Sequence, residues 1–240
     1  MNLSIRKISA IFELKIQSMF TNMSIMVAPI LSIGFVLLMK IAMPSAVATG
    51  AYLLGMGLSF NNIMGGIMMG SYPLSEEKEK NTLRVLMTSS VSSVEFIIGS
   101  ILPSLLITVI INIVLIPIAG VPVGKIDWPI YLLYTTVTAL ISIIIGYVIG
   151  IYSNSQMQAG NLSMPIMLLF TLTPMFQSFN KTIENIMSFT YPGMLNDFVL
   201  HSMTNNYNIN FKDVSVLVIW LIVCLGIFIY AYSKNGLDSE

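Results

Sequence analysis

The sequence predicts an all-α polytopic membrane protein in which residues 1–240 form a single transmembrane domain. Two observations predict this class. Hydrophobic residues make up 55% of the chain and charged residues only 9%, whereas about a quarter of the residues in a soluble domain are charged. Several charge-free stretches also reach the roughly 20 apolar residues that a helix needs to cross the hydrocarbon core.

Six transmembrane helices follow from the distribution of charge along the chain. The longest charge-free stretch, residues 128–180, is too long for one helix, and the polar, turn-prone sequence "YSNSQMQAGN" at 152–161 divides it. The predicted spans are residues 23–42, 49–71, 97–119, 129–151, 162–178 and 213–232.

The lysines and arginines predict how these spans are oriented. If the N-terminus is inside the cell, seven of them lie on the inner side, namely Arg6, Lys7, Lys15, Lys78, Lys80, Arg84 and Lys234. Four lie on the outer side, namely Lys40, Lys125, Lys181 and Lys212. Because the cytoplasmic connections of membrane proteins are richer in Lys and Arg, we predict that both termini are cytoplasmic.

Two segments outside the spans have helical patterns of their own. Residues 4–20 place apolar residues on one face, which predicts an amphipathic helix in the cytoplasmic headgroup layer; a solvated helical tail is the alternative. Residues 179–211, on the outer side, repeat apolar residues at helical spacing around "YPG" at 191–193. They predict a re-entrant pair of short helices, and an ordinary extracellular loop with two surface helices is the alternative.

The sequence "SEEKEKNTLRVLMTSS", residues 75–90, holds six of the 22 charged residues of the chain between two apolar stretches. We predict a helix over about 75–89, in which Ser75 caps the N-terminus and the three glutamates complement the positive end of the helix dipole. Leu83, Leu86 and Met87 would give this helix a small apolar stripe. The alternative is a solvated connector whose charges only fix the orientation.

The sequence lacks the motifs of several classes of enzyme. No glycine-rich phosphate loop ending in Gly-Lys-Ser/Thr occurs, so the chain is predicted to carry no ATPase motif and to bind no cofactor of its own. His201 and the single cysteine, Cys224, predict neither a metal site nor an intrachain disulfide. Apart from Lys40, near the end of the first span, and Asp213, at the very start of the last, no Asp, Glu, Lys, Arg or His lies inside the six spans. Because ion-driven pumps generally need such groups, the energy for any uphill transport should come from a partner.

Neutral polar side chains in the spans have two interpretations. The candidates are Asn61, Asn62, Thr108 and Asn112. They are suited to line a translocation path, and hydrogen bonds between helices are an equal alternative. Glycines four residues apart, at Gly66/Gly70 and Gly146/Gly150, predict close helix packing within the bundle.

The charged segment and the residues after it resemble a known family. The sequence "EEKEKNTLRVLMTSSVSSVEFIIGS" (76–100) is similar to the first cytoplasmic loop of ABC-2-type permeases, the membrane subunits of ATP-binding-cassette exporters. The family's Glu-x-Glu-x-Gly-Thr-Leu run is matched by Glu77, Glu79, Thr82 and Leu83. Its turn is matched by Ser89, Val91 and Ser92, and the acidic residue and the glycine that follow are matched by Glu95 and Gly99. Asn81 stands where glycine is usual and Ser90 where proline is usual, and both residue types tolerate turns.

The resemblance extends over essentially the whole chain. An interfacial helix, six spans and a re-entrant pair before the last span are family features, and "TPMFQSFNKTIENIMSFTYPGMLNDFVL" (173–200) resembles the re-entrant region. In that family the charged segment is a coupling helix that docks on the ATPase subunit. The resemblance therefore implies that the residues in contact with the ATPase are Glu76, Glu77, Glu79, Lys80, Leu83, Arg84, Leu86 and Met87.

The resemblance implies the permease subunit of an ATP-driven exporter in a bacterial plasma membrane. It would bind a separate ABC ATPase, which holds ATP and Mg²⁺, and pair with a second permease, identical or similar. A path without charge favours an amphipathic or apolar substrate, such as a drug, an antimicrobial peptide or a lipid-linked molecule. Balanced charge gives no indication of nucleic acid binding. The alternative is a membrane protein that transports nothing and acts in immunity or as a sensor by binding a peptide or partner.

Overall fold

The computed structural model describes residues 4–44, 49–82, 91–177, 179–202 and 211–234, and every regular element in those ranges is helical. The helices are α1 (Ile5–Thr21), α2 (Met23–Ala42), α3 (Gly50–Ser59), α4 (Gly66–Glu79), α5 (Ser93–Ala119), α6 (Trp128–Tyr152), α7 (Gln156–Thr171), α8 (Thr173–Gln177), α9 (Lys181–Met187), α10 (Tyr191–Ser202) and α11 (Phe211–Lys234). A π-helical segment, Phe60–Gly65, joins α3 to α4, and a 3-10 turn, Val123–Lys125, precedes α6. The predicted all-α class is confirmed over these ranges.

Within the described ranges, five helices are long and apolar enough to cross a membrane. They are α2, α5, α6, the α7–α8 pair over Gln156–Gln177, and α11. They correspond to five of the six predicted spans, and α2 has the predicted bounds. The predicted second span, 49–71, lies in a longer helical run over 50–79 that consists of α3, the π-helical segment and α4.

Helices α4 and α6 approach so closely that their glycines leave no room for a side chain. A Cβ atom on Gly70 would lie 2.3 Å from the carbonyl oxygen of Ile143, and one on Gly146 would lie 2.3 Å from a carbonyl oxygen of α4. Gly66 and Gly150 extend the same contact along the two helices. The predicted close packing is therefore present, and it joins α4 and α6 backbone to backbone.

The helical run over 50–79 connects two ends of the bundle. At one end, Gly55 in α3 contacts the side chain of Asn196 in α10, and Lys40 Nζ donates a 2.9 Å hydrogen bond to the carbonyl oxygen of Ile118, near the end of α5. At the other end, the last turn of α4 meets α1 and the start of α7. A run of this length spans about 45 Å at 1.5 Å per residue, so these two groups of contacts are far apart.

Helix α1 is present where residues 4–20 predict a helix, and it packs on the protein through a face other than the predicted apolar one, whose position in the headgroup layer stays a prediction. Ile11, Lys15 and Met19 are its buried residues. Of the face predicted to be apolar, only Met19 is buried, and Ile5 is 84% exposed. The reason is a close contact with α5, where a Cβ atom on Gly99 would lie 2.9 Å from Cβ of Ile11.

The connection between α6 and α7 is shorter than the turn predicted over 152–161. Helix α6 continues to Tyr152 and α7 begins at Gln156. The Ser155 hydroxyl accepts a hydrogen bond from the backbone N–H of Gln158, which caps α7. Only residues 153–155 form the turn, and the polar residues from Gln156 onwards form the first turns of α7.

The segment predicted over 179–211 contains two short helices in its described part, as predicted, but YPG does not separate them. The break between α9 and α10 is at 188–190, and YPG forms the first turn of α10. The Thr190 hydroxyl accepts a hydrogen bond from the backbone N–H of Gly193. Pro192 is tolerated because N–H groups in the first turn of a helix have no partner within that helix.

Candidate functional site

Helix α4 continues through the charged residues, which contradicts the predicted helix start at Ser75. Ser75 is buried, and its hydroxyl donates a hydrogen bond to the carbonyl oxygen of Ser71 one turn earlier. The helix ends only at Glu79. Glu76, Glu77 and Glu79 therefore lie at the negative end of a helix dipole, where they need cations or hydrogen-bond donors from elsewhere in the protein.

Asn81 explains why α4 stops at this point. Its φ of 55° is left-handed, and its backbone N–H donates a 3.0 Å hydrogen bond to the carbonyl oxygen of Lys78. Glycine adopts this conformation most readily at helix C-termini, and asparagine is the usual second choice. Asn81 thus stands where the ABC-2-type motif has glycine because the position requires a left-handed residue.

Lys15 and Glu77 join α1 to the end of α4. Lys15 Nζ lies 2.6 Å from Glu77 Oε1, and the two side chains are 1% and 12% exposed. The same ammonium group lies 4.9 Å from the ring centroid of Phe96 in α5, within cation–π range. Because a buried charge is unfavourable unless it is paired, this pair fixes α1 against α4 and α5.

Glu76 collects donors from three parts of the chain. Its Oε2 atom accepts a 2.6 Å hydrogen bond from Asn22 Nδ2, between α1 and α2, and a 3.1 Å hydrogen bond from Gln156 Nε2 in α7. Its Oε1 atom pairs with Lys80, one turn further along the chain. The carboxylate therefore links the α1–α2 junction to the start of α7.

Lys78 and Glu79 contact the connection between α6 and α7 from the same turn of α4. Lys78 Nζ donates a hydrogen bond to the carbonyl oxygen of Ile151, in the last turn of α6. Glu79 Oε2 accepts a 3.0 Å hydrogen bond from the backbone N–H of Gln156, the first residue of α7. A cation thus meets the negative end of one helix and an anion the positive end of the next, and each supplies a partner for a backbone group that a helix end leaves unpaired.

Glu95 belongs to the same end of the bundle, and its bonds were not predicted. Its Oε2 atom accepts from the backbone N–H of Ser92 at 2.9 Å, while the Ser92 hydroxyl accepts from the backbone N–H of Glu95 at 3.3 Å. The Ser-x-x-Glu spacing before an apolar run is the sequence signal of this capping box. The second oxygen accepts a 2.7 Å hydrogen bond from the backbone N–H of Ser4, at the start of α1.

The residues predicted to contact an ATPase fall into two groups. Glu76, Glu77, Glu79 and Lys80 lie together at the end of α4. The carboxylates of all three glutamates accept hydrogen bonds within the chain, whereas the Lys80 side chain is 64% exposed. Leu83, Arg84, Leu86 and Met87 lie outside the described residues, so their contact role stays a prediction.

The four predicted path residues, Asn61, Asn62, Thr108 and Asn112, are 0% exposed and form one hydrogen-bonded network. Asn61 Nδ2 donates to Asn112 Oδ1 at 2.8 Å and to the carbonyl oxygen of Thr108 at 2.9 Å. Asn112 Nδ2 donates to Asn62 Oδ1 at 2.8 Å. None of the four side chains reaches the surface of the chain in this conformation. Hydrogen bonding between helices therefore accounts for their geometry, and a path-lining role stays a prediction.

The network lies where the π-helical segment meets two other helices. Asn61 is bonded to α5, and Asn62 is bonded both to α5 and, through a 3.1 Å hydrogen bond from its Nδ2 atom to Thr138 Oγ1, to α6. The Tyr131 hydroxyl closes the group from α6 by donating to the carbonyl oxygen of Asn112 at 2.8 Å. Buried amides need such partners, so the network ties three helices together in the middle of the bundle.

Cys224 and His201 belong to no metal-binding cluster in the described ranges. No group of three His, Cys, Asp or Glu there is placed to hold a metal ion. Cys224 is buried in α11, and His201 lies in the last turn of α10. These residues give no geometric basis for a catalytic site in the part of the chain that the structure describes.

The helices and the charged end of α4 define a multi-pass membrane protein. The sequence model of the ABC-2 family transporter proteins matches residues 11–230, and no curated protein matches the chain. The chain therefore belongs to the ABC-2 family of transporter proteins, and it is a membrane permease of an ABC transporter. The resemblance carried by residues 76–100 is confirmed.

Proposed function

We propose that this chain is the permease subunit of an ATP-driven exporter that moves an amphipathic or apolar substrate across a bacterial plasma membrane. Family membership supports the permease role. In the described parts of the candidate membrane helices, the charged residues all lie within about one turn of a helix end. The absence of charge deeper in those helices supports an apolar substrate over a small ion.

The arrangement at the end of α4 is the observation that carries the proposal. Its glutamates and Lys78 contact α1, α6 and α7 within the chain. A displacement applied at this point by a separate ATPase subunit would therefore reach several helices at once. The contact with the ATPase would begin at the exposed Lys80 and continue through the residues implied by the family resemblance, Leu83, Arg84, Leu86 and Met87. Glu76, Glu77 and Glu79 would act behind that contact.

The proposed protein has six spans, with both termini in the cytoplasm. The run over 50–79 would supply the second span and so bring the five candidate spans to six, since its length of about 45 Å exceeds the hydrocarbon thickness. Lys15, Lys78 and Lys80 gather at the α4 end, and Lys40 lies at the opposite end, which supports a cytoplasmic position for the first group. Helices α9 and α10 would form the re-entrant pair, packed on α8 and α3.

A second permease, identical or similar, would complete the translocation path, and each permease would bind one ATPase. The residues Asn61, Asn62, Thr108 and Asn112 would line that path only in another conformation of the chain, because they are buried in this one. ATP binding and Mg²⁺ would belong to the ATPase subunits.

Affinity purification of the tagged chain from its native membranes tests the proposal. We expect an ABC ATPase to co-purify, and we expect vesicles reconstituted with the complex to export a fluorescent amphipathic drug only when ATP is supplied. An ATPase variant that cannot hydrolyse ATP is the control. Recovery of the chain with a bound peptide or another partner, and without an ATPase, would favour the immunity or sensor alternative.

A further inference from the structure

We propose that Lys78, Glu79 and Gln156 form a clasp that makes α7 follow the movement of α4 during the transport cycle. The three residues act as positioning residues, through their contacts with helix ends. The inference rests on the proposed coupling to an ATPase. It adds a route through α7 to the route that the family resemblance implies, which runs through the second and third spans on either side of the charged segment.

The charges of the clasp match the helix ends that they contact. Lys78 donates to the carbonyl oxygen of Ile151 at the negative end of α6, and Glu79 accepts from the first backbone N–H of α7 at its positive end. The turn between α6 and α7, residues 153–155, is thus held from both sides by two consecutive residues of α4. If Lys78 and Glu79 exchanged places along the chain, both contacts would be repulsive.

Gln156 receives a second contact through its side chain. Its Nε2 atom donates a 3.1 Å hydrogen bond to Glu76 Oε2, and residues 76 and 79 lie on the same face of a helix because they are three positions apart. The first residue of α7 is therefore bound by its backbone to Glu79 and by its side chain to Glu76. Both acceptors are carboxylates, which form stronger hydrogen bonds than neutral groups do.

Helix α7 depends on this clasp more than α6 does. Helix α6 is joined to α4 by the glycine contact at Gly70 and Gly146, where backbones meet directly. Helix α7 approaches α4 at Gly160, where a Cβ atom would lie 3.0 Å from the hydroxyl oxygen of the Tyr72 side chain in α4. The end of a flexible side chain yields more readily than backbone does, so we expect the polar clasp to be the firmest link between α4 and α7.

The far end of the α7–α8 pair passes the movement on to the outer segment. Gln177, the last residue of α8, donates to the carbonyl oxygen of Gly193 at 3.3 Å and to Asp197 Oδ1 at 3.0 Å. Its Oε1 atom accepts a 2.7 Å hydrogen bond from Asn196 Nδ2. A displacement that enters α7 at Gln156 therefore reaches α10 through contacts made by one side chain at the other end.

Distance measurements between spin labels in the complete permease–ATPase complex test the clasp. Cysteines replace Leu31 in α2, Leu102 in α5 and Leu162 in α7, which are 49%, 43% and 46% exposed, in a Cys224→Ala background. The pairs 31–102 and 31–162 are measured without nucleotide and after trapping with ATP and orthovanadate. Labelled permease is diluted with unlabelled permease, so that each complex holds one labelled copy.

The variant Glu79→Ala/Gln156→Ala removes the carboxylate at the start of α7 and the side-chain bond to Glu76. We expect the ATP-driven change in the 31–162 distance to fall by about half or more, because charge-assisted hydrogen bonds are removed, while the 31–102 change and all nucleotide-free distances are retained. The matched control is Glu13→Ala/Gln158→Ala. Glu13 is exposed on α1, and the hydrogen bonds that Gln158 makes to described residues are with Asn154 and Ser155, in the α6–α7 turn.

Three results would overturn the inference. A clasp variant that keeps the full 31–162 change would show that α7 moves without these contacts. An equal loss in the control variant would show that the turn itself, and not its contact with α4, is responsible. If neither distance responds to ATP in the protein with an intact clasp, the proposed coupling to an ATPase fails, and this inference fails with it.

Discussion

The ammonium nitrogen of Lys15 lies 2.6 Å from Oε1 of Glu77, although 62 residues separate the two along the chain. Lys15 is 1% exposed, so its charge is available to little except this carboxylate. The pair shows that the charged segment of this permease is used largely within the chain. Its glutamates hold α1 and α7 against the end of α4.

Removing the cation of this pair is expected to destabilise the protein. Lys15→Met leaves the Glu77 carboxylate buried without its cation, and breaking a buried pair from one side costs about 3 kcal/mol. Replacing both residues, in Lys15→Met/Glu77→Leu, should recover most of the lost stability because no unpaired charge remains. Thermal unfolding in detergent, followed by tryptophan fluorescence, measures both. The control is Lys80→Met, which removes an exposed ion pair, and equal stability of the two lysine variants would contradict the argument.

Alanine in the contact between α4 and α6 is expected to disrupt the bundle. In Gly146→Ala the new methyl group meets a carbonyl oxygen at 2.3 Å, and overpacking of this kind costs about 1–3 kcal/mol or more. Gly226→Ala is the matched control, since nothing lies within 4 Å of that position. We expect a lower midpoint of thermal unfolding for the first variant and little change for the second. Comparable midpoints would show that α4 and α6 are not in direct backbone contact.

The buried asparagine network gives a test that separates its two interpretations. Asn112→Ala leaves Asn62 Oδ1 without its donor. We expect the free energy of unfolding to fall by about 1–2 kcal/mol, the cost of losing a buried hydrogen bond between helices. If the network is structural, export by the folded fraction keeps its substrate preference. Asn161→Ala, at an exposed asparagine of α7, is the control. Full stability together with an altered preference would instead support a path-lining role.

Asp197, in α10, predicts a pH dependence of the stability of the protein. Burial raises its carboxyl pKa from 3.8 to about 6, against the opposing effects of His201, Lys212 and Gln177. The folded state therefore retains a proton that the unfolded state has released, and stability falls as pH rises through that window. The midpoint of thermal unfolding of Asp197→Asn should exceed that of the parent protein. The difference should grow between pH 3.8 and about pH 6 and stay constant above that range.

The same comparison is best made in a His201→Gln background, which removes a second side chain that interacts electrostatically with Asp197. A difference between Asp197→Asn and its parent that does not change with pH would mean that the carboxyl group titrates alike in the folded and unfolded chains.

Local sequence properties predicted much of the fold. The bounds of α2 follow from the length of an apolar stretch. The glycine pairs predict close helix packing, because each pair lies within one turn of a helix, and the structure shows that this packing joins α4 to α6. The S-x-x-E spacing at 92–95 is a local signal of the same kind for the start of α5, although it was not among the predictions. Such signals need no knowledge of distant parts of the chain.

The end of α4 was harder to predict, because glutamates and lysines near a helix end do not say which end it is. Ser75 suggested an N-terminal cap, whereas the left-handed Asn81 shows a C-terminal one. The glycine usual at that position in ABC-2-type permeases was the signal that favours the second interpretation. The partners of the glutamates could not be predicted for a different reason. Lys15, Asn22 and Gln156 are distant in sequence, and only tertiary packing brings them to α4.

Site-specific cross-linking in native membranes tests whether the end of α4 faces an ATPase. A photoreactive label is attached at Lys80→Cys, in a Cys224→Ala background, because the Lys80 side chain is 64% exposed beside the residues that join the helices. Lys181→Cys, exposed at the start of α9, is the control at the other end of the bundle. We predict a cross-link from position 80 to an ABC ATPase, with reagent reaching this position only from the cytoplasmic side, and none from position 181. A cross-link to the ATPase from position 181 and not from position 80 would contradict the proposed arrangement.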